Sequence, residues 1–174
     1  MIRLLIVDDH EIVRHGLALA LDQVKGFQVV GQAADGIDAL PLIYDLVPDV
    51  VLLDWKMPQL DGLKTARRIK QEMGTARTLV LSGAPIEAAV LDALEGGIDG
   101  FVHKDISPRN LVHAIRRVAA GERYLGAEVT QALIARSQQP KASSPAPALS
   151  EREQEVLELM ATAATYKEIA AQLV

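Results

Sequence analysis

The sequence predicts an α/β fold: a five-stranded, doubly wound parallel sheet, followed by a smaller helical segment. Three observations lead there. Short apolar runs alternate with amphipathic stretches along the first 120 residues. Three of the five runs are continuously apolar rather than alternating, as strands buried on both faces are. The βα repeat is about 25 residues, long enough for a right-handed helical crossover between parallel strands. A length of 174 residues holds one domain of about 120 residues plus something smaller.

The strands read "RLLIVDD" (3–9), "FQVVGQA" (27–33), "DVVLLDW" (49–55), "RTLVLSG" (77–83) and "GFVH" (100–103). Helices are expected near 11–24, 36–46, 61–73, 86–96 and 107–120. Pro41 falls inside the second helix, where a missing N–H and a ring clash cost up to about 3 kcal/mol. Residues 1–121 therefore form one domain.

The character changes after 121. Residues 122–148 read as a linker carrying one short helix at 127–137, with Val129, Leu133 and Ile134 on one face. Its last stretch, "QQPKASSPAPA" (138–148), has no apolar period and the composition of a flexible Pro/Ala/Ser spacer. Residues 149–174 turn helical again. Ser150 with Glu153, and Thr165 with Glu168, each make a capping box ahead of apolar residues. Two capped helices a short turn apart open a helix–turn–helix.

Composition narrows the chemistry. With no cysteine there is no disulfide, thiol nucleophile or cysteine-held metal, which fits a reducing cytoplasm. "MIRLLIVDDHE" turns acidic too early for a secretory leader, and no apolar run approaches the ~18 residues of a membrane span. Residues 1–121 carry 16 acids and 13 bases, 122–148 carry 2 and 3, and 149–174 carry 5 and 2. No segment has the basic footprint of a DNA-binding surface.

The carboxyl ends of parallel strands are where such sheets bind ligands. There stand Asp8 and Asp9 after the first strand, Asp54 after the third, Ser82 after the fourth and Lys104 after the fifth. Taken singly, each is an ordinary cap, loop or solvated residue. Together, drawn from the ends of four of the five strands, they converge on one edge. Three close carboxylates raise one another's pKa, and a hard divalent cation relieves that: Mg²⁺ takes one or two carboxylates together with phosphate oxygens. A carboxylate can be a covalent phosphoryl acceptor, and phosphoryl transfer needs mostly positioning and charge neutralisation. Lys104 supplies a cation and Ser82 a hydrogen-bond donor. Four scattered histidines carry less weight; His10, next to the acid pair, reads as a helix-start residue.

With these residues in place, 1–121 resembles the receiver domain of bacterial two-component response regulators, through "LLIVDDHEIVR", "PDVVLLDWKMPQLDG", "LVLSG" and "GFVHKD". The resemblance implies that Asp54 is the phosphoacceptor and that Asp8, Asp9, Asp54 and the Lys56 backbone carbonyl hold Mg²⁺ or Mn²⁺. Ser82 and Lys104 become the phosphate-binding hydroxyl and amine, and Phe101 the aromatic switch. Trp55, bulky and apolar, is expected to shield the site or pack on a partner. "LSEREQEVLELM" and "YKEIAAQL" resemble the first half of a LuxR-type helix–turn–helix of the NarL/FixJ class. The implied partners are a sensor histidine kinase, a second copy of the chain once phosphorylated, and DNA in the complete protein. The basic recognition helix is not in this sequence, so the chain itself is not expected to bind DNA specifically.

Two enzymic or carrier readings are weaker. A haloacid-dehalogenase-type phosphatase needs a second Asp two residues past the nucleophile, where Lys56 stands. A flavodoxin-like flavin carrier needs a Ser/Thr-rich phosphate loop where this chain has "DDHE". A stand-alone receiver serving as an interaction module is the third alternative.

Overall fold

Residues that are apolar on every position of a strand must find a hydrophobic layer on both sides of it. The computed structural model supplies both layers. It describes residues 1–74, 76–83, 98–127, 129–131 and 134, all within one unit, Met1–Ala135. The elements are β1 (Ile2–Val7), α1 (Glu11–Asp22), β2 (Phe27–Ala33), α2 (Gly36–Leu46), β3 (Val50–Asp54), α3 (Gly62–Glu72), β4 (Arg77–Ser82), β5 (Gly100–His103), α4 (Pro108–Ala119) and β6 (Tyr124–Leu125). The sheet is wholly parallel in the order β2-β1-β3-β4-β5-β6.

Alternate strand residues divide between the faces. Leu5, Val7, Val51, Leu53 and Val80 pack with Ala39 and Ile43 of α2 and with Ala66 and Ile69 of α3. Leu4, Ile6, Val50, Leu52 and Leu79 pack with Leu21 of α1 and with Leu111, Ile115 and Val118 of α4. The expected doubly wound sheet is thus present, and its strand order turns back between β1 and β3. That reversal opens a crevice at their carboxyl ends.

Local signals set the helix starts. Asp35 caps α2 by accepting from the Ile37 N–H at 2.9 Å, and Asp61 caps α3 through the Lys64 N–H at 2.8 Å. Ser107 caps α4 ahead of Pro108, whose fixed φ suits a first turn. α2 runs on through Pro41 to Leu46. Pro41 is on the exposed side of the helix, so water can serve the carbonyl it leaves without a donor, while Ala39, Leu40 and Ile43 anchor the buried side.

Two expectations need correction. The sheet has six strands, not five: Tyr124–Leu125 pairs with Gly100 and Phe101. Two residues are too few to show a period, so the sequence hid them in the linker. Val129 and Ile134 do not share a buried face either. Val129 is 1% exposed in the Phe101 layer, whereas Ile134 is 51% exposed. The expected helix at 86–96, the spacer at 138–148, Leu133 and both capping boxes lie outside the described residues.

Candidate functional site

The residues that end or succeed each strand build the crevice. Asp8 comes directly after β1 and is held on both backbone sides: its N–H donates to the Ala33 carbonyl at 3.2 Å, and Arg14 Nη1 donates to its carbonyl at 2.6 Å. Asp54 is the last residue of β3, in register with Leu81. Ser82 ends β4, and its carbonyl accepts from the Lys104 N–H at 2.8 Å. That bond carries the chain past β5 and aims Lys104 back over the sheet edge.

The Lys104 ammonium joins two strands' carboxylates. Nζ lies 2.9 Å from Asp8 Oδ2 and 3.0 Å from Asp54 Oδ1. Asp8, Asp54 and Ser82 are buried. Burial pushes the Asp54 carboxyl above its ordinary value, and the Asp8 and Asp9 charges push the same way against the pull of Lys104. Burial acts to lower Lys104, but its hydrogen bonds and charge attraction to Asp8 and Asp54 prevail, and its pKa is raised. A cleft of about 440 Å³ opens here, lined among others by Asp54, Trp55, Lys56, Ser82 and Lys104.

Oxygens not taken by Lys104 face a different neighbour. His10 Nδ1 lies 2.8 Å from Asp9 Oδ1, 3.3 Å from Asp8 Oδ1 and 4.0 Å from Asp54 Oδ2. His10 is the N-cap residue of α1, yet its side chain makes no capping bond. One donor atom from each of Asp8, Asp9, His10 and Asp54 fits within 4.8 Å of the others. The residues present therefore suit a divalent cation in charge, donor type and spacing.

The loop after Asp54 is tied back to the sheet. The Trp55 N–H donates to the Leu81 carbonyl at 2.8 Å, and the Gly62 N–H to the Trp55 carbonyl at 3.0 Å. A side chain on Gly62 would put its Cβ 2.2 Å from the Asp54 carbonyl oxygen, so only glycine lets α3 start this close. Buried Asp35 grips the same loop through the N–H groups of Gln59 at 3.0 Å and Leu60 at 3.2 Å. Asp35 and Gly62 were not foreseen as site residues. The visible signal for each was an Asp-Gly pair ahead of a helix, which marks a cap and does not reveal a second duty.

Phe101 is fully buried in β5. Trp55 meets it edge-on, with centroids 5.4 Å apart and ring planes at 84°. Trp55 thus packs inward on the aromatic residue expected to act as the switch, and Phe101 stands inside the fold in this conformation.

The sequence matches the response regulator receiver domain family over residues 4–116. This chain belongs to the response regulators. It is 38% identical to the response regulator GacA of Pseudomonas aeruginosa over 162 residues, covering 92% of this chain and 76% of that one. A two-component response regulator of the LuxR family from an Aurantimonas species superposes with a TM-score of 0.73 at 35% identity, over 78% of this chain and 96% of that one. A structure of two RcsB dimers bound to two parallel DNAs gives a TM-score of 0.72 at 28% identity, over 99% and 82%. These relatives put this response regulator in the NarL/FixJ class and outside the classical enzymes. Its Asp8, Asp9 and Asp54 form the acidic cluster typical of a receiver's Mg²⁺ site. Among the described residues no helix is long and apolar enough to cross a membrane.

Proposed function

We propose that Asp54 accepts a phosphoryl group from the phosphohistidine of a sensor kinase. A carboxylate oxygen of Asp54 bonds to phosphorus while the phosphorus–nitrogen bond to the kinase imidazole breaks. The observation that carries this reading is the shared ammonium: Lys104 Nζ within 3.0 Å of Asp54 Oδ1 and 2.9 Å of Asp8 Oδ2. It holds the acceptor in place at the cleft and offers its charge to the incoming phosphoryl oxygens. Ser82, in the same cleft, donates a hydrogen bond to another of those oxygens. Asp8, Asp9, Asp54 and the Lys56 carbonyl would hold Mg²⁺ or Mn²⁺, and the bound ion supplies charge neutralisation to the phosphoryl group.

Phosphorylation adds about −1.5 to −2 charges at Asp54. Ser82 shifts toward the phosphoryl, Phe101 is held inward, and the surface around β5 and α4 changes. A hundredfold bias between two conformations needs only about 2.7 kcal/mol of differential interaction. The output is dimerisation and, in the complete protein, regulated DNA binding, in the cytoplasm. The receiver is residues 1–121 together with the β6 strand that opens the following stretch, the rest of 122–148 is the connection, and 149–174 are the first half of the DNA-binding domain. The LuxR-family and RcsB relatives support that output.

Acetyl phosphate and Mg²⁺ test the acceptor, with the added phosphoryl read by intact-protein mass. The wild-type chain gains one and loses it on hydroxylamine or alkali treatment; Asp54→Ala gains none. A phosphorylated Asp54→Ala protein would place the acceptor elsewhere.

A further inference from the structure

We infer that His10 is a fourth side-chain donor to the metal site, so that this receiver favours imidazole-binding dications over Mg²⁺ more than three carboxylates alone would. The inference rests on the reading of Asp8, Asp9 and Asp54 as a metal site and adds a ligand to it.

Geometry carries it. Lys104 takes Asp8 Oδ2 and Asp54 Oδ1. One other oxygen of each carboxylate, Asp8 Oδ1, Asp9 Oδ1 and Asp54 Oδ2, lies within 4.0 Å of His10 Nδ1. Neighbouring ligands on an octahedral ion with bonds of 2.0–2.1 Å sit about 2.9 Å apart, and opposite ones about 4.2 Å. The His10 separations of 2.8, 3.3 and 4.0 Å match two neighbouring positions and one opposite.

The local backbone fixes this pose. The His10 N–H donates to Asp8 Oδ1 at 2.8 Å, so the residue is tied to the carboxylate it would share an ion with. The ring gives up the capping bond that its position at the head of α1 offers and turns toward the acids instead. Chemistry then sets the preference. Carboxylates and water suit Mg²⁺, while an imidazole donor suits first-row transition ions, with affinity rising from Mn²⁺ toward Ni²⁺.

Mn²⁺ and Ni²⁺ are the probes, applied to the full chain and to His10→Asn, which keeps a favourable N-cap. Pulsed EPR of the Mn²⁺-loaded wild type should show coupling to a directly bound nitrogen, and His10→Asn should lack it. Titration followed by Trp55 fluorescence should show the preference for Ni²⁺ over Mg²⁺ falling about tenfold or more in His10→Asn. Bound Mn²⁺ with no nitrogen coupling, or coupling and preference unchanged in His10→Asn, overturns this inference alone. If Mn²⁺ does not bind, or binds equally well to Asp9→Asn, the metal-site reading falls and the role of His10 with it.

Discussion

Asp54 carries its charge against most of its surroundings. Burial raises its pKa first, and Asp8 and Asp9 add to the rise; the Lys104 hydrogen bond and charge offset only part of it. A carboxyl raised in the folded state binds its proton more tightly folded than unfolded. Its contribution to stability is therefore complete below the unfolded value near 3.8 and is lost as pH rises through the higher folded value. At pH 7 the ionised acceptor is a standing cost, which suits a residue meant to be covered by a cation and a phosphoryl group. Asp54→Asn removes the charge and keeps the shape. Its urea midpoint should exceed that of wild type at pH 7 and converge on it below about pH 3.8. An equal or lower midpoint at pH 7 would mean that the pull of Lys104 outweighs burial. Lys104 follows the same sign at higher pH: its raised pKa gives stability that is complete below 10.5 and lost as pH rises through its folded value. Asp8, Asp9, Asp54, Ser82 and Lys104 were legible as a set because strand order alone brings them to one edge. The turn of His10 toward the acids was not, because a side chain's choice between capping a helix and facing a carboxylate leaves no mark in residue order.

At the scale of elements, the loop between β3 and α3 does the positioning. It leaves the sheet at Trp55, is gripped by Asp35, and returns to Asp54 at Gly62. Each strand and each described helix was readable from apolar period and caps, since those signals reside within a few residues; the two-residue β6 is the exception. The contact between Gly62 and the Asp54 carbonyl joins residues eight apart through a loop, and no periodicity reports it. Gly62→Ala tests its weight. The new methyl would lie 2.2 Å from a backbone oxygen, which cannot swing aside as a side-chain tip can. Either α3 or the end of β3 must shift, at a cost of about 1–3 kcal/mol as overpacking usually does. Phosphorylation of Asp54 by acetyl phosphate should slow as well, because the acceptor's own backbone moves. Gly16→Ala is the control: nothing stands within 4 Å of the added Cβ in mid-α1, so the helix should gain about 0.5–1 kcal/mol. Chemical denaturation of both variants reads the difference; a Gly62→Ala protein as stable as Gly16→Ala would show that the loop yields freely.

The whole receiver extends further along the chain than its composition suggests. Sequence character changes after 121 because the next residues are polar and short in pattern, yet four ties bring them into the domain. The Tyr124 N–H donates to the Asp99 carbonyl at 3.1 Å, and the Gly126 N–H to the Phe101 carbonyl at 2.9 Å. The Tyr124 ring stands edge-on to His113 of α4. Val129 is buried in the layer that holds Phe101 and Ile98. These residues therefore cover the outer side of β5, the strand that carries both Phe101 and the approach to Lys104, and the unit that contains them runs to Ala135. A chain ending at Gly121 gives up β6 and Val129 together. Full burial of one valine side chain is worth about 1.5–3 kcal/mol, and the lost pairing leaves one edge of β5 open. Compared with residues 1–135, residues 1–121 should be less stable by at least about 2 kcal/mol in urea denaturation. The amides of β5 should also exchange faster with deuterium, and its Trp55 emission should shift red as water reaches the ring that packs on Phe101. Equal stability and equal exchange in the two chains would return residues 122–135 to the linker. A loss confined to β5 and its neighbours would instead join the start of the connection to the strand on which the switch aromatic sits.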